Sequence, residues 1–157
     1  MSGNCGTVIP GEGQIVTKRY HRRTKKSAEY EFMAMTRVKE FLKHSEYPIH
    51  IPDVWLNDRR SLDMQKINIK KEFNDIFDFY SEYPGADESK VKEFLLELLD
   101  NGLYLWDIEV IVDHEDNIWL IDFDKVGIVC TDNTVTIPGL VSNPITVDYL
   151  VNTLETI

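Results

Sequence analysis

Cysteine is nearly absent. Cys5 and Cys130 are the two in 157 residues, and neither has the neighbours of a metal knot or a redox pair, so a disulfide framework is excluded. Long apolar runs are missing as well, since none approaches the roughly 18 residues that span a bilayer. No membrane partner is therefore expected. The opening "MSGNCGTVIPGEG" lacks the charged-then-apolar pattern of a secretion signal. That points to a cytoplasmic location, the cytoplasm of a host cell included. Basic residues are scarce: 17 Lys and Arg stand against 27 Asp and Glu, a formal net charge of -10. Phosphate backbones are held mainly by Lys and Arg, so this balance argues against a nucleic-acid partner. Repeats and low-complexity tracts are also lacking.

What is present suffices for one domain, or one domain in two small lobes: 43% of the residues are apolar. "CGTVI" and "QIVTKRY" flank the turn signal Pro10-Gly11-Glu12-Gly13 and predict a β-hairpin. "SAEYEFMAMTRVKEFLKH" places Glu31, Met35, Val38 and Leu42 at helical spacing behind the N-cap candidate Ser27. "HIPDVW" and "SLDMQKI" predict a second pair of short strands around Asn57-Asp58-Arg59-Arg60. "KEFNDIFDFY" and "ESKVKEFLLELLDNGLYL" are apolar-periodic, the second stopping near Asn101-Gly102, and "TVDYLVNTLETI" predicts a short closing helix. Asn68 to Lys71 is the expected linker, dividing a sheet-and-helix region, 1–67, from a helical region, 68–157. Lys18, Arg19, Arg22, Arg23, Lys25 and Lys26 form a basic cluster against the acidic remainder, a surface suited to an acidic protein partner.

Between Ile108 and Gly127, "IEVIVDHEDNIWLIDFDKVG" is a hairpin pattern. Val110, Ile111 and Val112 lead into the tip Asp113-His114-Glu115-Asp116-Asn117, and Ile118 to Ile121 lead out. Folding it antiparallel sets Glu109 opposite Ile121 or Asp122, with Asp107 and Asp124 nearby. Side chains facing across such a ladder lie about 5 Å apart. Like charges that close repel unless a cation, a proton or a basic side chain intervenes.

This order of elements, with the residues in it, resembles the eukaryotic-like protein kinase superfamily in a much shortened form, as far as Gly127. "GNCGTV" is similar to the later part of its glycine-rich loop, with Gly3, Gly6 and Val8 in the positions of the last two glycines and the valine. "IVTK" resembles the third-strand motif. It implies that Lys18 holds the α- and β-phosphates, that Val16 lies on the same strand against the base, and that Glu31, with Glu29 as the alternate, orients the lysine. "SLDMQKI" is similar to the strand entering the hinge, with Met64 as gatekeeper and Gln65 to Ile67 beside adenine. "WLIDFD" resembles the strand and Asp-Phe-Gly turn, making Asp122 a Mg²⁺ ligand, with Asp124 in place of the glycine. "YLWDIEVIVD" resembles the catalytic loop, which makes Asp107 the catalytic aspartate.

The loop departs from the family's pattern. Trp106 stands for its arginine, and Val112 occupies the position of an ungapped asparagine. With about three residues lost, Glu109 replaces that asparagine as a second metal ligand. No Ala-Pro-Glu motif follows Asp122 in this sequence, and a large peptide-docking subdomain is not expected in the residues after it. The resemblance implies an α+β, shortened bilobal kinase-like fold, ATP and Mg²⁺ as cofactors, and transfer of the γ-phosphate to a protein hydroxyl, Ser or Thr before Tyr. Viral and bacterial-effector proteins of this minimal kind are the comparison it suggests. The alternatives are a pseudokinase that engages a partner and a small acidic interaction protein with no nucleotide site.

Overall fold

The predicted first hairpin forms between β2 (Gly6–Pro10) and β3 (Ile15–Tyr20), which pair antiparallel with Val8 opposite Lys18. β-branched Ile15, Val16 and Thr17 favour the extended backbone. In this computed structural model residues 2–3, 6–10, 15–21, 27–82, 88–105, 107–137 and 145–156 are described, with backbone alone over 2–10. The turn signal at 11–13 and the basic residues Arg22, Arg23, Lys25 and Lys26 lie outside them.

The architecture is α+β. β1 (Ser2–Gly3), β2, β3, β6 (Ser61–Gln65) and β5 (Val54–Asp58) form one antiparallel sheet in the order β1-β2-β3-β6-β5. A second has the order β4-β10-β9-β7, from β4 (Ile49–His50), β10 (Ile118–Ile121), β9 (Glu109–Asp113) and β7 (Ile69–Phe73). A third, small sheet joins β13 (Ile145–Thr146), β12 (Thr134–Thr136), β11 (Gly127–Val129) and β8 (Leu103–Tyr104).

Helix α1 (Ala28–Lys43) begins as its sequence predicts. Ser27 Oγ accepts the Tyr30 N–H at 3.1 Å, Glu29 and Glu31 sit in the first turn, and Lys43 sits in the last, so cap and charges agree with the helix dipole. α2 (Ile76–Glu82) and α3 (Glu88–Asp100) follow, and α4 (Val147–Glu155) closes the chain behind the N-cap Thr146. Gly102 ends α3 with φ +92°, a left-handed conformation that costs glycine little. No described helix is long and apolar enough to cross a membrane. One continuous core carries Met35 and Val38 of α1, Leu62 of β6, Val110 and Leu120 of the central hairpin, Phe123, and Phe94 and Leu98 of α3.

Three stretches differ from expectation. "HIPDVW" is split: β4 pairs parallel with β10, whereas β5 joins the first sheet. Pro52 lies in the break, where its missing N–H interrupts a ladder. The expected linker is largely strand, because Ile69 to Lys71 open β7 and pair with β9. β7 is an edge strand exposed along most of its length, so its polar sequence reads as coil. Likewise "KEFNDIFDFY" is not one helical segment. Lys71, Glu72 and Phe73 complete β7, and α2 starts only after Asp75, whose Oδ1 accepts the Asp78 N–H at 2.8 Å.

Candidate functional site: a buried lysine between two acids

Alternation along β3 decides where Lys18 points. It shares a face with Tyr20, and both are buried, at 4% and 2% exposure, while Arg19 between them is exposed. A buried ammonium is costly unless paired. Here Lys18 Nζ lies 3.0 Å from Glu31 Oε1 and 2.9 Å from Asp122 Oδ1. Burial alone would lower its pKa. The charges of Glu31, Asp122 and Asp124 outweigh burial and push it above the ordinary lysine value, so the ammonium is fixed in its charged form.

Glu31 is the acid that the helical spacing points inward. Its side chain is fully buried, and Oε1 also accepts the Tyr20 hydroxyl at 2.6 Å. Oε2 accepts the Phe123 N–H at 2.8 Å, tying α1 to the turn after β10. Burial, then the Glu31 carboxylate, push the Tyr20 phenol far up, so it remains a donor. Glu29 is exposed and sits 3.9 Å from Arg59 Nε, which settles the choice between the two acids for Lys18.

Asp122 leaves β10 in the left-handed region, φ 71° and ψ 62°, and starts the 3-10 turn Phe123–Lys125. Aspartate tolerates this backbone better than most residues, and such positions cluster at functional sites. Phe123 is fully buried and Asp124 is 5% exposed. Across the ladder Glu109 faces Ile121, one of the two registers expected from sequence, and is half-buried. Burial, then Asp122, then Glu72 push its carboxyl up to about 7. Asp107 also has a positive φ, 54°; its carboxylate is exposed, and Oδ2 accepts from Lys125 Nζ at 2.5 Å. That bond, together with Asp107, Asp124 and Asp122, raises the Lys125 pKa.

The sequence-predicted residues therefore divide. Lys18, Glu31 and Asp122 are in direct contact, Glu109 adjoins Asp122, and Asp107 stands beyond them across Lys125. Gly3 pairs with Gly6 between β1 and β2, and Val8 with Lys18. Val16 pairs with Met64, giving an apolar pair next to Lys18. Gln65 ends β6 by exchanging backbone and side-chain bonds with Asp53, and Ile67 follows half-buried outside any strand. Lys18 itself does not belong to an exposed basic cluster, because the ion pairs bury it.

Tyr20, Glu72 and Lys125 escaped the sequence reading. Tyr20 was accessible through the period of two from Lys18, and Lys125 through its place after Phe123-Asp124. Glu72 was hidden because β7 reads as linker.

Chemically, the mouth of the β9–β10 hairpin holds two hard carboxylates in mutual repulsion beside a fixed cation. Among the described residues no three His, Cys, Asp or Glu side chains form a metal cage. Two carboxylates with remaining positions for phosphate and water suit Mg²⁺, which seldom takes an all-protein shell. Compared with known proteins, the sequence matches no protein-family model and no curated protein.

Proposed function

We propose that the protein is a minimal ATP-dependent phosphotransferase of protein-kinase-like design, acting on a protein hydroxyl. One observation carries this reading: a buried lysine bonded at once to a helix glutamate and to an aspartate 104 residues further along the chain. An ion pair kept only for stability is commonly matched or bettered by apolar packing. A fixed ammonium beside two carboxylates matches a nucleotide's phosphates and their metal.

In this reading Lys18 holds α- and β-phosphate oxygens, and Glu31 keeps its ammonium aimed. Asp122 and Glu109 offer one carboxylate each to Mg²⁺. Bound there, Mg²⁺ would supply neutralising positive charge for the phosphates. Val16 and Met64 supply an apolar wall for the base. Asp107 takes the proton of the attacking hydroxyl as its oxygen bonds to the γ-phosphorus, and the bond to ADP breaks. The pseudokinase reading draws on the Asp107–Lys125 contact, which already occupies one oxygen of the would-be base.

Transfer from labelled ATP to mixed protein hydroxyls, with and without Mg²⁺, decides between the two. A nucleotide-dependent rise in melting temperature is expected under both, worth about 2.7 kcal/mol at 100 times Kd. No rise at millimolar ATP and Mg²⁺ overturns the nucleotide site altogether.

A further inference from the structure

Beside Asp107 lies a cavity of about 140 Å³. Leu95 of α3, Ile108, Leu120 of β10 and Leu154 of α4 give it apolar walls, and Asp75 and Asp107 also line it. Those four apolar residues are at most 6% exposed. Close packing leaves few voids larger than a water molecule. This one approaches the roughly 150 Å³ of an engineered apolar cavity that stays dry and binds benzene.

The two carboxylates distinguish it from a dry hole. Asp75 is half-buried at the start of α2 and uses Oδ1 to cap the Asp78 N–H. Asp107 uses Oδ2 for Lys125. Among the described residues no hydrogen bond takes Asp75 Oδ2 or Asp107 Oδ1. A wholly apolar guest would give these carboxylates no partner, and an anionic guest would be repelled. An N–H donor carrying positive charge would form short, charge-assisted bonds with them.

We propose that this cavity is a binding site for a small apolar amine, with a hydrocarbon body of benzyl size among the leucines and its ammonium held by Asp75 and Asp107. The site goes beyond the phosphotransfer reading, shares only Asp107 with it, and stands whether or not nucleotide binds.

Benzylamine, toluene and benzoate, titrated separately into the full chain and followed by methyl NMR, test it. Benzylamine is expected to saturate the Leu95, Leu120 and Leu154 methyl shifts, with toluene about tenfold weaker and benzoate inactive. Asp75→Asn keeps an oxygen for the Asp78 N–H but removes the charge, and should weaken benzylamine about tenfold. Leu120→Phe should fill the space and abolish the shifts. Should that variant fail to fold, Leu154→Phe from the helical side serves the same purpose. No saturable shift with benzylamine overturns the proposal. So does equal binding of the three probes, or binding that persists in a folded, filled variant.

Discussion

The two ends of the β9–β10 hairpin place acids in opposite circumstances. At the tip, Asp113 accepts the Glu115 and Asn117 N–H groups on Oδ1, both at 2.9 Å, and the Asn117 amide and Trp119 indole on Oδ2, at 3.2 and 2.9 Å. Burial would raise its pKa, but the Trp119, Asn117 and Glu115 donors prevail and hold it down to about 2. At the mouth, burial, then the carboxylates of Asp122 and Glu72, push Glu109 up to about 7. Both acids sit on the same strand, four residues apart. A carboxylate surrounded by N–H groups closes a turn, whereas one surrounded by carboxylates stabilises the chain only when something positive arrives. The contrast separates an acid whose bonding is complete from one whose charge is unmet more sharply than composition can.

Removing the buried cation at the mouth should have the largest effect. Lys18→Ala leaves the fully buried Glu31 carboxylate without its charge partner and is expected to cost about 3 kcal/mol. The Tyr20 and Phe123 donors keep the loss at the lower end of what breaking a buried pair costs. Urea unfolding measures it. Lys18→Met with Glu31→Gln should recover part of the loss, and a single-mutant cost below about 0.5 kcal/mol would mean that the pair contributes nothing to the fold.

Next comes the tip. Asp113→Ala orphans several donors and should cost about 2 kcal/mol. Because the folded pKa is depressed from the ordinary 3.8 to about 2, the stabilisation is present above pH 4 and lost as pH falls towards 2. Asp113→Asn should therefore flatten the acid limb of a stability–pH curve. An unchanged acid limb would move the tip's contribution to some other group.

At the mouth the sign reverses. Glu109 has a raised pKa, so the folded state binds more protons than the unfolded state between about pH 4.5 and 7, and stability falls as pH rises through that window. Glu109→Gln should remove this slope and raise stability above pH 7 by about 1 kcal/mol, discounted because the side chain is only half-buried. Mg²⁺ with ATP should stabilise the wild type more than the variant. Identical Mg²⁺ dependence in both would take Glu109 out of the metal site.

How much of this was legible follows from the same physics. Helical spacing points Glu31 inward and the hairpin pattern narrows the partner of Glu109 to Ile121 or Asp122, whereas Lys18 was singled out by the resemblance of its strand motif; α1, the first hairpin and the carboxylate hairpin appear where local rules put them. β7 was not legible. Its side chains face solvent from Ile69 to Glu72, so neither alternation nor apolar density marks it, and Glu72 was lost with it. The role of Asp113 was equally hidden, because an aspartate at a hairpin tip has the same sequence signature whether it caps four donors or none. Pairing across 104 residues, as between Lys18 and Asp122, has no local signal at all.

The smallest expected effect on stability belongs to Lys125. Its bond to Asp107 joins two partly exposed side chains, at 29% and 45%, and water screens such a pair, so Lys125→Ala should change stability by no more than about 0.5 kcal/mol. Under the proposed phosphotransfer reading its effect on transfer should be much larger. Lys125 holds one oxygen of Asp107, and a carboxylate left to rotate at a left-handed backbone position would present its free oxygen to the incoming hydroxyl less often. Lys125→Ala should then lower the rate of phosphate transfer while leaving the nucleotide-induced melting shift in place, and Lys125→Arg should restore part of the rate. Asp107→Asn should abolish transfer in either background, so that the double variant is no slower than Asp107→Asn alone. Transfer unaffected by Lys125→Ala would confine the lysine to holding the loop, and an equal loss from both single variants without that non-additivity would place it at the phosphates instead of at Asp107.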